Sequence, residues 1–231
     1  MYFFSDTPEL LVVMSERKDG SMKVFEKRSV NEKNRQSFFC GIDVSSQNVF
    51  SAEIVHGNCV VTVSNSDQRF VRDADGIITK EKNIFLSVTV ADCIPVYLYD
   101  PRKSIVGIMH CGWRSIVGGI VENGLNEVKR IGGKIGNVRI IFGPGICSQH
   151  FTVKEDVLEN FLAYHRNMFF AHRSISIDLK GIMREQLIDL GVRSENIEDC
   201  GICTVESEKF FSYRRDKPSV IEAMIAGIGF R

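Results

Sequence analysis

The sequence predicts an α+β fold, with mixed β-sheets flanked by helices in a layered α/β/β/α sandwich, as a single domain over residues 1–231. Three observations point there. Short β-branched apolar runs cluster in the middle of the chain, amphipathic stripes at helical spacing lie between and after them, and the two alternate too irregularly for strict βαβ units. No Pro/Ser-rich linker, solenoid-length repeat or low-complexity tract divides the sequence, and its length suits one compact domain.

The elements follow in order. Ile84 to Val90, Val96 to Tyr99 and Ile105 to Met109 read as buried strands, the last following the turn Asp100-Pro101-Arg102. Ile116, Val117, Ile120, Val121, Leu125 and Val128 recur at helical spacing until Gly132-Gly133 stops them, which predicts one helix facing a sheet. Val138 to Phe142 reads as a strand ending in Gly143-Pro144-Gly145, and Lys154 to Tyr164 as a helix. Asp178 suits an N-cap for a stripe of Leu179, Met183, Leu187 and Leu190, with Gly191 just past the helix end. Val220 to Ile228 is expected to close the chain as an apolar strand.

Composition narrows the function. Hydrophobic residues are 44% and charged residues 25%, an ordinary globular balance. Lys plus Arg and Asp plus Glu are 29 each, so no global field favours nucleic acid or an anionic membrane, and neither is expected as a partner. The longest apolar runs fall far short of the ~20 residues of a membrane span. Met1 to Asp6 lacks the basic start of a secretory signal. Seven cysteines, an odd number at irregular spacing, read as reduced thiols and a cytoplasmic location.

Three segments place a metal-competent side chain beside a glycine or at a strand end: Val55-His56-Gly57, Ala91-Asp92-Cys93 and Met109-His110-Cys111-Gly112-Trp113-Arg114. One thiolate and two imidazoles form a borderline-soft donor set that suits zinc and leaves a fourth position open for water or substrate. Other readings of the same residues stay open. Isolated histidines and cysteines are more often core residues, and Cys93 with His110 can also be read as a thiolate nucleophile and its base, which leaves His56 unexplained.

The blocks Ser87-Val88-Thr89-Val90-Ala91-Asp92-Cys93-Ile94-Pro95-Val96, His110-Cys111-Gly112-Trp113-Arg114, Gly143-Pro144-Gly145-Ile146, Cys203-Thr204 and Phe211-Ser212-Tyr213-Arg214-Arg215-Asp216 resemble, in order, the YfiH family. The resemblance runs from about Arg35 to Asp216 and implies that His56, Cys93 and His110 are the metal ligands and catalytic centre. It implies a zinc-dependent purine nucleoside phosphorylase that cleaves adenosine, inosine or methylthioadenosine with phosphate, and adenosine deaminase activity as well. Arg35, in Asn34-Arg35, stands where the family carries an active-site arginine, whose guanidinium can grip phosphate in two-pronged fashion. Two departures bear on substrate preference: Ile54 stands where the family usually has glutamine, and Ser115 where it has glycine.

The family has also been described as laccase-like multicopper polyphenol oxidases and as peptidoglycan editing factors. Copper-dependent phenol oxidation and a cell-wall precursor or peptidoglycan-synthesis partner are therefore rival expectations, the first disfavoured by a chain with five histidines. Cys147-Ser148-Gln149-His150 and Cys200-Gly201-Ile202-Cys203 together suggest a structural zinc site, against a default of buried free thiols. Asp92 is a candidate proton shuttle for deamination or a structural aspartate. Trp113 is a candidate stacking face or a core residue, and Arg214 and Arg215 phosphate ligands or surface charges. Cys111 should point away from the site if it lies on a strand, and His165 and His172 default to the surface.

Overall fold

The structure is a computed structural model that describes residues 1–6, 9–23, 29–171 and 174–230, so the expectation for His172 lies outside the described residues, as does the side chain of His165. The chain opens with β1 (Tyr2–Asp6), β2 (Leu10–Met14), α1 (Ser29–Cys40), β3 (Val49–Ala52), β4 (Val60–Thr62), β5 (Phe70–Val71) and β6 (Gly76–Thr79). Its centre is β7 (Phe85–Val90), β8 (Ile94–Asp100), β9 (Ile105–Cys111), α2 (Trp113–Val117), α3 (Ile120–Arg130) and β10 (Arg139–Phe142). The remainder holds β11 (Thr152–Val153), α4 (Glu155–Leu158), β12 (Met168–Ala171), β13 (Ser174–Ile177), α5 (Leu179–Asp189), β14 (Ile197–Asp199), α6 (Tyr213–Asp216) and β15 (Met224–Phe230).

Two six-stranded sheets dominate, ordered β1-β2-β15-β7-β3-β5 and β14-β10-β8-β9-β6-β4, with a small sheet β11-β13-β12 beside them. Both large sheets are mixed. In the first, β7-β3 and β3-β5 pair in parallel and the rest antiparallel. In the second, β10-β14 and β4-β6 are the parallel pairs.

Strand alternation separates three cores. Leu86, Val88 and Val90 of β7 meet Tyr97, Val106 and Ile108 between the two sheets. Opposite residues of the second sheet, Val96, Leu98, Ile105 and Met109, pack on Ile120, Val121, Leu125 and Val128 of α3 and on Ile182 and Leu187 of α5. Leu11, Val13, Phe85 and Ile225 of the first sheet cover Phe38 and Phe39 of α1. The period-two strand pattern and the helical stripe thus generate the α/β/β/α layering expected from sequence.

Local differences have physical causes. The single helix expected over residues 116–128 is two, because Gly119 adopts φ +85, which breaks the backbone between α2 and α3. The helix expected over 154–164 keeps one α-turn, after which Glu159–Asn167 continues as 3-10 turns with Tyr164 outside helical geometry. The closing strand starts at Met224 and runs to Phe230, beyond the sequence estimate. The N-cap is as expected: Asp178 accepts from the Gly181 amide at 2.9 Å, and Gly191 takes φ +97 past the end of α5.

Ile108→Ala, at a fully buried position between the sheets, is expected to cost about 2–5 kcal/mol of stability. Asp178→Ala should cost only about 1 kcal/mol, the loss of one cap. Urea unfolding midpoints measured side by side check the order.

Candidate functional site

Three strand ends meet at one edge of the sandwich. Pro95 of β8 pairs with His110 of β9, so Cys93, just before β8, is carried to the end of β9. Gly76 of β6 pairs with Met109, and the His110 amide donates to the Asp75 carbonyl at 2.7 Å. Asp75 is fully buried, and its carboxylate accepts the amides of His56 at 2.8 Å and Gly57 at 2.7 Å. His56 itself sits at φ +60, a left-handed conformation that these two hydrogen bonds hold in place.

The result is a trio: ligand-competent atoms of His56, Cys93 and His110 lie within 4.8 Å of one another. The two imidazoles meet edge to face at 4.9 Å. His110 Nδ1 lies 3.4 Å from Asp75 Oδ1, at ion-pair distance though outside hydrogen-bonding geometry. This leaves Nε2 as the nitrogen available to a ligand, the usual arrangement for a metal-bound histidine oriented by a carboxylate. Gly112 permits the closeness, since a Cβ there would stand 3.0 Å from Cys93 Sγ.

Electrostatics bind the trio further. Burial opposes ionisation of Cys93, but the charge on His110 and hydrogen bonds from His110 and His56 outweigh it and bring the thiol down to about 6. Burial likewise disfavours a charged His110, yet the Cys93 thiolate and Asp75 hold its proton and raise it to about 9. Both shifts run in the direction that favours a thiolate beside an imidazolium when no cation is bound. The donor set of one thiolate and two imidazoles could hold a divalent ion, which would take the place of the imidazolium proton.

The trio borders a cavity of about 580 Å³, within the range of small-molecule sites. Trp113, Ile146, Phe151 and Leu179 supply apolar wall, while Lys23, Glu53, Asp92 and Arg214 supply charge. Ile54, at the position of the family's glutamine, also lines it. Ser115 lies buried in α2, its hydroxyl without a hydrogen-bond partner among the described residues. Trp113 lines the cavity and packs on Phe161 at 5.9 Å.

Other expected residues sit elsewhere. Arg35 is outside the cavity lining; its guanidinium donates to the Met22 carbonyl at 3.3 Å and to Ser51 Oγ at 2.9 Å, and burial lowers its pKa to about 10. It therefore pins the backbone next to Lys23. Asp92 is buried, with φ +78, and spends its carboxylate on the Thr204 hydroxyl and the Arg214 amide, both at 2.6 Å. That is a structural role. Arg215 donates to the carbonyls of Thr204, Ser207 and Phe210 and so organises that turn, while Arg214 reaches the cavity. Cys111 points into the helix-side core, away from His110. Sequence reading missed Asp75, Lys23 and Glu53, for which no local pattern gives a signal.

Comparisons with known proteins agree with this architecture. Residues 16–230 match the family described as multi-copper polyphenol oxidoreductase laccase. The chain is 32% identical over 212 residues to the protein named purine nucleoside phosphorylase YlmD of Bacillus subtilis (strain 168), spanning 85% of this chain and 76% of that one. It is 34% identical over 148 residues to the protein named adenosine deaminase RL5, from an unknown prokaryotic organism, spanning 61% of this chain and 56% of that one. The crystal structure of Bacillus licheniformis YfiH superposes with a TM-score of 0.90 at 24% identity, covering 99% of both chains. The matched span, the identity to YlmD and the shared layering place the chain in the YfiH family, the one whose profile carries the polyphenol oxidoreductase description.

Proposed function

We propose that this chain is a zinc-dependent purine nucleoside phosphorylase of the cytoplasm, cleaving adenosine, inosine or methylthioadenosine with phosphate to free base and ribose 1-phosphate. The observation that carries the reading is the His56–Cys93–His110 trio opening on a cavity with aromatic walls and two cationic side chains. The printed names of YlmD and of a Campylobacter jejuni relative, both purine nucleoside phosphorylases, support it. Zinc held by the trio would supply Lewis acidity at the open coordination position.

The chain's own residues define the rest. Trp113 and Phe151 offer flat faces to a purine. Lys23 and Arg214 attract phosphate into the same space, Lys23 being positioned by the grip of Arg35 on Met22. Apolar Ile146 and Leu179 exclude water around the glycosidic bond, which strengthens those charges. Adenosine deamination is a second activity of the same cavity, supported by the name of the RL5 relative. It needs a carboxylate to move a proton, and with Asp92 committed to Thr204 and Arg214, Glu53 takes that role.

A copper phenol oxidase would need several copper ions and a histidine-rich lining, which a trio containing a thiolate does not provide. A cysteine hydrolase would leave His56 without a purpose. Among the described residues, none favours the cell-wall reading.

Zinc-loaded protein given adenosine and phosphate is expected to release adenine and ribose 1-phosphate, and His56→Ala, Cys93→Ala and His110→Ala should each lose one equivalent of zinc by elemental analysis together with activity. Release of neither base nor inosine by fully loaded protein would sink the reading. Glu53→Gln should slow inosine formation about 100-fold or more while keeping most of the phosphorolysis, a ratio read by product chromatography. In the metal-free protein, alkylation of Cys93 by iodoacetamide should be half-maximal near pH 6 and fall as pH drops below it, because only the thiolate reacts. Added zinc should suppress the labelling.

A further inference from the structure

We propose that Cys147, His150, Cys203 and Glu206 form a second metal site, closed and structural, that holds a zinc-like divalent cation. Ligand-competent atoms of these four residues lie within 4.8 Å of one another. The proposal does not depend on the function assigned to the trio.

Two turns build the cluster. After Phe142 the chain turns so that the amides of His150 and Phe151 both bond to the Cys147 carbonyl, which folds the C-x-x-H segment on itself. Cys203 opens a second turn closed by the Ser207 amide on its carbonyl, and Glu206 lies on it. Gly145 and Cys203 are bridged in parallel, with Gly145 donating to Ile202 and Thr204 donating back to Gly145. The bridge sets the two turns face to face.

The geometry fits a tetrahedral ion. His150 Nδ1 lies 3.2 Å from Cys147 Sγ, 3.6 Å from Cys203 Sγ and 3.5 Å from Glu206 Oε1, and Cys147 Sγ lies 3.7 Å from that oxygen. Zinc bonded at about 2.0–2.3 Å to nitrogen, oxygen and sulfur spaces its ligands roughly 3.3–3.8 Å apart. Both cysteines are free thiols, and the Cys147 amide points at Cys203 Sγ at 3.4 Å, where it would support a thiolate.

The donor chemistry selects the ion. Two thiolates, an imidazole and a carboxylate suit zinc and exclude magnesium or calcium, and four protein ligands leave no open position for substrate. Binding would displace the two thiol protons. Glu206, rather than the Cys200 expected from the C-x-x-C spacing, completes the set.

Such an ion would staple one wall of the cavity. Ile146, beside Cys147, lines the cavity and donates its amide to the Asp92 carbonyl at 2.8 Å. Arg214 donates to the His150 carbonyl at 3.1 Å.

The test is titration of the full-length, metal-stripped chain with Co²⁺ under argon and reducing conditions, followed by the thiolate-to-cobalt absorption bands. Wild type should take two equivalents. Cys147→Ser and, separately, the exposed Glu206→Gln should lose or weaken one equivalent while the other, which reports an intact fold, remains. His110→Ala should keep an equivalent with the stronger absorption of two thiolates. Uptake of a single equivalent that disappears in His110→Ala overturns the proposal. So does a Cys147–Cys203 disulfide that forms on oxidation while the reduced pair refuses cobalt.

Discussion

A carboxylate buried with no solvent exposure at the end of β6 has to be matched by donors, and Asp75 finds all of its donors in the candidate site. An ionised group in such surroundings is tolerated only when it is paired and hydrogen-bonded. The amides of His56 and Gly57 and the ring of His110 meet that demand together, so one residue fixes two of the three candidate metal ligands. The left-handed backbone at His56 costs of order 1–3 kcal/mol in isolation. It persists because the turn it makes delivers two amides to Asp75 at once.

The third ligand depends on sheet register. Pairing of β8 with β9 sets Cys93 opposite the end of β9, and the absence of a side chain at Gly112 lets the thiol approach the imidazoles. A one-residue slip in this hairpin would turn His110 into the helix-side core and bring Cys111 to the cavity. The flanking β6–β9 register carries the same information, since it aligns Asp75 with His110. Ligand geometry is therefore a property of two strand pairings buried between two cores.

The opposite wall is organised by the C-terminal segment. Asp92 reaches across to Thr204 and Arg214, and Arg215 gathers four carbonyls of the 204–210 turn. Because these partners are more than a hundred residues from Asp92, closing the wall couples the centre of the chain to its end. The family motif Ser212 to Asp216 thus earns a physical account: one arginine faces the cavity and its neighbour shapes the loop beneath.

The sequence by itself determined the layered class, the central strands and the helical stripes, because each rests on local periodicity, whereas the trio of His56, Cys93 and His110 lies on separate elements and was legible only through the resemblance of the blocks around it to a known family. It did not reveal Asp75, Lys23 or Glu53, single polar residues without a pattern around them. It also placed Arg35 at the phosphate, whereas the side chain is held by Met22 and Ser51 outside the lining, and it paired Cys203 with Cys200 where Glu206 completes the cluster. Helix 116–128 was legible as a stripe but not as two pieces, since Gly119 leaves the apolar spacing intact while breaking the backbone. Periodicity records which face of an element is buried. Which elements stand next to each other, and so which distant polar groups share a cavity, is decided only when strand registers and long-range hydrogen bonds are satisfied together in the tertiary structure.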